Sequence, residues 1–213
     1  MVEMNESEAL LLGIILGDGC VGKYGKHQYR IQVSGHSIDD KAFLLTVVKP
    51  LFKRIFGRDV KIYKRKLSKT TDLVLYSKDA FEALNRYLNI QEINEKGVFI
   101  ADAFLNEHRA MKGIIAGFFA TDGSVVITDN NGTTYPRVEF QNVSYKILKQ
   151  VQDFLLKLGM KGGLYKMDRE HGTVYRLQYN GKTNLLKFKN GIGFINPKHE
   201  LKFDKYIKNV GVV

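Results

Sequence analysis

The chain has 213 residues, 44% of them hydrophobic, enough for one large or two small packed units. Lys and Arg outnumber Asp and Glu by 33 to 22, a formal net charge of +11 that points to a polyanionic partner, nucleic acid before a membrane surface. The single cysteine, Cys20, excludes an internal disulfide framework and a cysteine-rich zinc site. No apolar run reaches membrane-spanning length and no cleavable leader precedes the first helix, so an intracellular protein, of cytoplasm or organelle matrix, is expected.

Glu6 to Gly17 is predicted helical, with Ser7 as its cap, and it stops at Asp18-Gly19. Gly-rich turn residues follow, then Gln28 to Ser34 alternates, Arg30, Gln32 and Ser34 on a wet face and Ile31 and Val33 on an apolar one. Ser37 to Phe56 has helical spacing, with Phe43, Leu44, Val47, Val48, Leu51 and Phe52 as the buried stripe and Pro50 as a kink or break. Val60 to Lys66 and Asp72 to Tyr76 read as strands about a polar turn, and Lys78 to Leu88 as a helix.

The second half repeats this order. A helix ends at Asp122-Gly123, Arg137 to Asn142 alternates, and Ser144 to Leu158 is helical. Lys161 to Met167 and Val174 to Tyr179 pair about His171-Gly172, and Lys182 to Phe188 begins a closing helix. The expected organisation is therefore two repeats, residues 1–105 and 106–213, joined by a short surface connection that includes Gln91 to Lys96.

The two Asp-Gly ends carry the chemistry. A carboxylate at a helix C-terminus faces the negative pole of the helix dipole, where Lys or Arg is preferred. Small residues recur every fourth position, Ala9, Gly13 and Gly17 in one helix and Gly113, Gly117 and Thr121 in the other, although glycine costs a helix roughly 1 kcal/mol relative to alanine. Such stripes let two backbones approach closely. If the helices pack about a pseudo-twofold axis, Asp18 comes beside Asp122, and two adjacent carboxylates call for a proton or a cation such as Mg²⁺. A lone Asp-Gly is more often a turn; the duplication and the matched stripes favour a site.

These runs, Leu11, Gly13, Ile15, Asp18 and Gly19 in the first and Ala116, Gly117, Phe119, Asp122 and Gly123 in the second, resemble the motif of LAGLIDADG homing endonucleases in their single-chain, two-motif form. Leu16 and Ala120 depart from it at the sixth position, where that family usually has Asp. The resemblance implies an α+β fold of duplicated α-β-β-α-β-β-α units, two antiparallel sheets forming a DNA-binding saddle, and motif helices at the interface. It also implies a monomer that cuts both strands of a long, asymmetric double-stranded DNA target and promotes intron homing. Asp18 and Asp122, with Gly17 and Thr121 beside them, would contact Mg²⁺, for which Mn²⁺ or Ca²⁺ could substitute.

The family often adds a polar rim residue and a basic helper in each half. Here Gln141 and Asn142 fit the rim on one side, His36 stands in on the other, and Lys96 with Lys198 or Lys202 are candidate helpers. The wet strand faces are the expected DNA readers: Arg30, Gln32, Ser34, Lys61, Tyr63 and Arg65 in one half, Arg137, Glu139, Gln141, Arg176 and Gln178 in the other. Lys64, Lys66, Lys69 and Lys166 would neutralise phosphates.

Two alternatives stand beside the nuclease. One is a non-cleaving binder on the same scaffold, an RNA maturase or a transcription regulator, with intron RNA as ligand. The other is a nuclease embedded in a self-splicing protein. The run Asn209 to Val213 lacks a terminal His-Asn, so a free-standing, intron-encoded protein is expected.

Overall fold

The structure, a computed structural model, describes residues 4–65, 67–88, 90, 93, 97–131, 133–170 and 172–209. Lys66, Lys96, His171 and most of the expected connection at 91–96 lie outside them.

Helix α1 (Glu6–Asp18) is capped by Asn5, not by Ser7. The Asn5 side chain accepts from the Glu8 amide at 3.0 Å while the Glu8 carboxylate accepts from the Asn5 amide at 2.9 Å, a reciprocal capping box that Ser7 cannot make. Ser7 lies within the first turn and takes a 3.3 Å bond from Arg54. The helix is buried on all sides from Leu11 to Leu16, as expected for an element wrapped by protein rather than lying on a surface.

At Gly19 the chain passes without a turn into strand β1 (Gly19–Tyr24), which pairs with β2 (Gln28–His36). Gly19 has ordinary extended angles, φ −90° and ψ 154°, so conformational freedom is not the reason for glycine. Space is: a Cβ there would lie 2.4 Å from the Ile15 carbonyl oxygen, because the strand folds straight back over the last helical turn. Gly123 repeats this, its Cβ position being 2.4 Å from the Phe119 oxygen. The glycines after both acids, read as turn residues, thus begin strands.

Helix α2 follows in three parts, Lys41–Phe43, a π turn Leu44–Val48 and Lys49–Phe56. Pro50 does not break it. The π turn, closed by the Lys49 amide on the Leu44 oxygen, loosens the ladder just before a residue that has no amide hydrogen to give. Strands β3 (Lys61–Arg65) and β4 (Thr70–Tyr76) and helix α3 (Lys78–Leu88) complete the first unit.

The second unit runs α4 (His108–Asp122), β5 (Gly123–Asn130), β6 (Thr133–Asn142), α5 (Tyr145–Lys157), β7 (Gly163–Arg169), β8 (Gly172–Asn180) and α6 (Lys182–Gly191). A further helix, α7 (Pro197–Asn209), follows beyond the closing helix read from the sequence. Each unit builds one antiparallel sheet, in the orders β1-β2-β4-β3 and β5-β6-β8-β7. One face of each is packed into the core through Ile31, Val33, Leu73 and Leu75, or Val138, Phe140, Leu177 and Tyr179. The opposite faces carry the polar rows. Because Gly19 pairs with Val33 and Gly123 with Phe140, Gln32 is the structural counterpart of Glu139, Ser34 of Gln141 and Gly35 of Asn142.

Candidate metal centre and nucleic-acid interface

Helices α1 and α4 pack directly on each other along the small-residue stripes. A Cβ on Gly13 would lie 2.0 Å from the Ile114 oxygen, one on Gly117 2.2 Å from the Leu10 oxygen, and one on Gly113 2.8 Å from the Ala9 Cβ. One on Gly17 would lie 2.0 Å from the Thr121 hydroxyl and 3.4 Å from the Asp122 carboxyl carbon. The helix ends therefore meet, and each acid lies within the other half's reach.

Burial drives the Asp122 carboxyl up to about 7; a 2.5 Å hydrogen bond from Asn142 opposes this, and the nearby charge of Asp18 reinforces it. Asp18 has an open side toward solvent, yet its pKa is also raised, by desolvation against the protein on its other sides and then by Asp40, with Lys198 opposing. Two crowded carboxyl groups that resist ionisation suit a divalent cation, which would hold both charged. Among the described residues no cluster of three His, Cys, Asp or Glu side chains could enclose a metal, so Asp18 and Asp122 would leave the remaining coordination to backbone carbonyls such as those of Gly17 and Thr121, to water and to phosphate.

The residues around the acids differ. On the Asp122 side, Asn142 donates to the carboxylate and is itself oriented by the Ser144 amide, 2.7 Å from its Oδ1. Its counterpart Gly35 has no side chain to offer Asp18. There, Lys198 reaches across from α7, in the other half of the sequence, and its Nζ donates to Asp40 at 2.7 Å. Burial works against ionisation of Asp40, but Lys198 and Asn196 outweigh it and keep this carboxyl below its ordinary range. Asn196, 1% exposed, bonds both Asp40 and the Ala120 oxygen at the end of α4, tying the second motif helix to the first unit. Lys198, expected as helper to the second half, thus stands within electrostatic reach of the first acid.

His36 pairs with Asp39, while its amide donates to Asp40. Next to Lys198, His199 is buried against Phe119 at 4.9 Å and held neutral, its pKa down to about 3, by desolvation and then by Lys198 and Lys202. Asp40 and Asn196 were not legible as site residues, since both reach it only through long-range contacts.

On the open sheet faces, Arg30, Gln32 and Ser34 share a side with Asp72 and Tyr76 of β4 and with Lys61, Tyr63 and Arg65 of β3. In the second sheet, Arg137, Glu139 and Gln141 share theirs with Arg176 and Gln178. Each face contains a buried acid, Asp72 at 3% and Glu139 at 7% exposure. Asp72 was read only as the start of a strand, though its alternation with Leu73 and Leu75 places it on the wet side.

Residues 109–193 match the family described as LAGLIDADG-like domain. That match takes in less than half of the chain. The chain is 26% identical over 206 residues to the replicative DNA helicase DnaB of Rhodothermus marinus, an overlap taking in 92% of this chain but 21% of the helicase. Its fold is similar to that of the homing endonuclease I-DmoI in complex with DNA and Mn, at TM-score 0.63 and 23% identity, with 89% of this chain and 98% of that one covered. I-DmoI also has a structure with DNA and Ca. The N-terminal LAGLIDADG domain of DUF199/WhiA is similar at TM-score 0.56 and 18% identity, covering 89% of this chain and 84% of that one. No helix among the described residues is long and apolar enough to cross a membrane.

Proposed function

We propose that this chain is a sequence-specific DNA endonuclease that makes double-strand cuts at a long, asymmetric target, acts as a monomer, uses Mg²⁺ and serves intron homing. The observation that carries this reading is the meeting of Asp18 and Asp122 at the ends of two helices packed backbone to backbone. A bound divalent cation supplies charge neutralisation at a scissile phosphate and activates water. The protein's part is positional. Asp18 and Asp122 hold the cation, Asn142 orients Asp122, and Lys198, set by Asp40, places a positive charge on the Asp18 side. Gln141 completes the rim beside Asn142, and Lys96 is a helper assigned on sequence position alone. The two polar sheet faces bind the duplex, with a net charge of +11 favouring phosphate contact. Mn in the DNA complex of I-DmoI supports divalent-metal use.

A second reading, nucleic-acid binding without cleavage, is favoured by one observation, the fold likeness to the WhiA domain. The two are separated by selecting bound duplexes from a random library in Ca²⁺, then incubating them with Mg²⁺, with Mn²⁺ or with chelator. Double-strand cuts that require metal and disappear in Asp18→Asn and Asp122→Asn, with binding kept, are expected. Cleavage in chelator, or full activity in both variants, contradicts the mechanism, and binding without any cutting supports the second reading.

A further inference from the structure

We infer that Asp72 and Glu139 are positioning residues that preset Arg65 and Arg137 as guanine readers, one in each half of the target. This rests on the sheet faces being the duplex interface. A carboxylate on a surface meant for phosphates is electrostatically costly, so a buried one at the middle of each face needs a reason.

The bonding gives one. Asp72 accepts from Arg65 Nε at 2.6 Å on one carboxylate oxygen and from Gln32 Nε2 at 3.1 Å and Ser34 Oγ at 2.8 Å on the other. Glu139 accepts from Arg137 Nε at 3.1 Å on one oxygen and from Gln141 Nε2 at 3.2 Å on the other. The same pair of donors, an arginine Nε and a glutamine Nε2, recurs on positions that are not structural counterparts. Register makes Glu139 the counterpart of Gln32, and Asp72 that of Arg176. The arrangement has been reached from two different strands, which a general need of the fold would not require.

Anchoring through Nε leaves the end-on pair of N–H groups, one from each terminal nitrogen of the guanidinium, uncommitted to the acid. Among the described residues neither arginine uses them in a hydrogen bond. A fork of two N–H donors matches the O6 and N7 acceptors of guanine in the major groove. Fixing the side chain beforehand removes its ordering cost from the binding step. The glutamines are altered too. A carboxylate only accepts, so Nε2 must face it, and Gln32 is left presenting its oxygen. Bidentate adenine contact, which the sequence allowed for Gln32, needs that same nitrogen; as placed, Gln32 suits a donor such as the cytosine amino group. Gln141 is engaged on both ends, since its oxygen accepts from Arg169 at 3.2 Å.

The test is binding selection of random duplexes in Ca²⁺, followed by sequencing, for the wild type and for Asp72→Asn, Glu139→Gln, Arg65→Lys and Arg137→Lys. The wild type should show a strong guanine preference at one position in each half. Asp72→Asn and Arg65→Lys should each lower the same one of these by about tenfold and leave the other intact, and Glu139→Gln and Arg137→Lys should do the converse. Binding to unrelated duplex should not weaken in the acid variants, which remove negative charge from the face. Unchanged profiles in the lysine variants, which keep the charge but remove both Nε and the end-on pair of donors, would overturn the inference. So would acid and arginine variants that affect different positions. A wild type that selects no duplex would instead sink the DNA-binding reading on which the inference depends.

Discussion

Where the first sheet sets Gln32 and Asp72, the second sets Glu139 and Arg176, and where Asp122 has Asn142 at 2.5 Å, Asp18 faces the position of a glycine. The two units share strand order, helix placement and the steric glycines after each acid. What has been kept is what the close helix contact demands, because an added atom there meets backbone that cannot yield. What has diverged is the open face, where only a ligand constrains the side chains. Divergence on that scale suits a target whose two halves differ. It reaches the acids as well, since Asp122 draws its support from its own unit and Asp18 draws Lys198 from the other.

Gly117→Ala should have the largest effect, because its Cβ would lie 2.2 Å from the Leu10 carbonyl oxygen; a loss of more than about 3 kcal/mol in denaturant unfolding is expected. Gly113→Ala comes closer than 3.0 Å only to the Ala9 Cβ, at 2.8 Å, with the nearest backbone atom at 3.4 Å, and should cost visibly less. Equal costs would mean that the helices do not meet as described.

Lys198→Met and Asn142→Ala should split the two strands on a selected target. Each should slow one strand by about 100-fold, a different strand for each variant, so that nicked DNA accumulates. Equal slowing of both strands by either variant would remove the functional side of the asymmetry.

A carboxyl whose folded pKa is near 7 binds its proton more tightly in the folded state, so the stability it contributes is present below about pH 4 and is lost as pH rises through 7. In metal-free protein, Asp122→Asn should therefore raise unfolding free energy at pH 8 by on the order of 2–3 kcal/mol and change it little at pH 4. A gain at pH 4 that vanishes at pH 8 would reverse the sign. The smallest effect is at the first cap: Asn5→Ala should cost about 1 kcal/mol in thermal melts and Ser7→Ala close to nothing.

Much of the scaffold was written in periodicity. The start of α3 at Lys78 matches its periodicity, and the alternation of Arg30, Gln32 and Ser34 against Ile31 and Val33 gave the wet face directly. The strands β1 and β5 were missed because Gly19 and Gly123 look like turn formers, whereas they answer a clash with the preceding helical turn, which only three dimensions reveal. Pro50 suggested a break because a π turn has no sequence mark. At the site, the acids and glycine stripes were legible because they are duplicated. Asp40, Asn196 and the reach of Lys198 were not, since contacts across more than 150 residues leave no local pattern.

Everything proposed for the site depends on Asp18 and Asp122 together holding a divalent cation. Mn²⁺ titration of the protein–DNA complex, followed by electron paramagnetic resonance, tests it without relying on cleavage. Mn²⁺ binding should weaken by at least roughly tenfold in Asp18→Asn and in Asp122→Asn, with DNA affinity retained in both. Unchanged Mn²⁺ binding in the two variants would contradict that joint role.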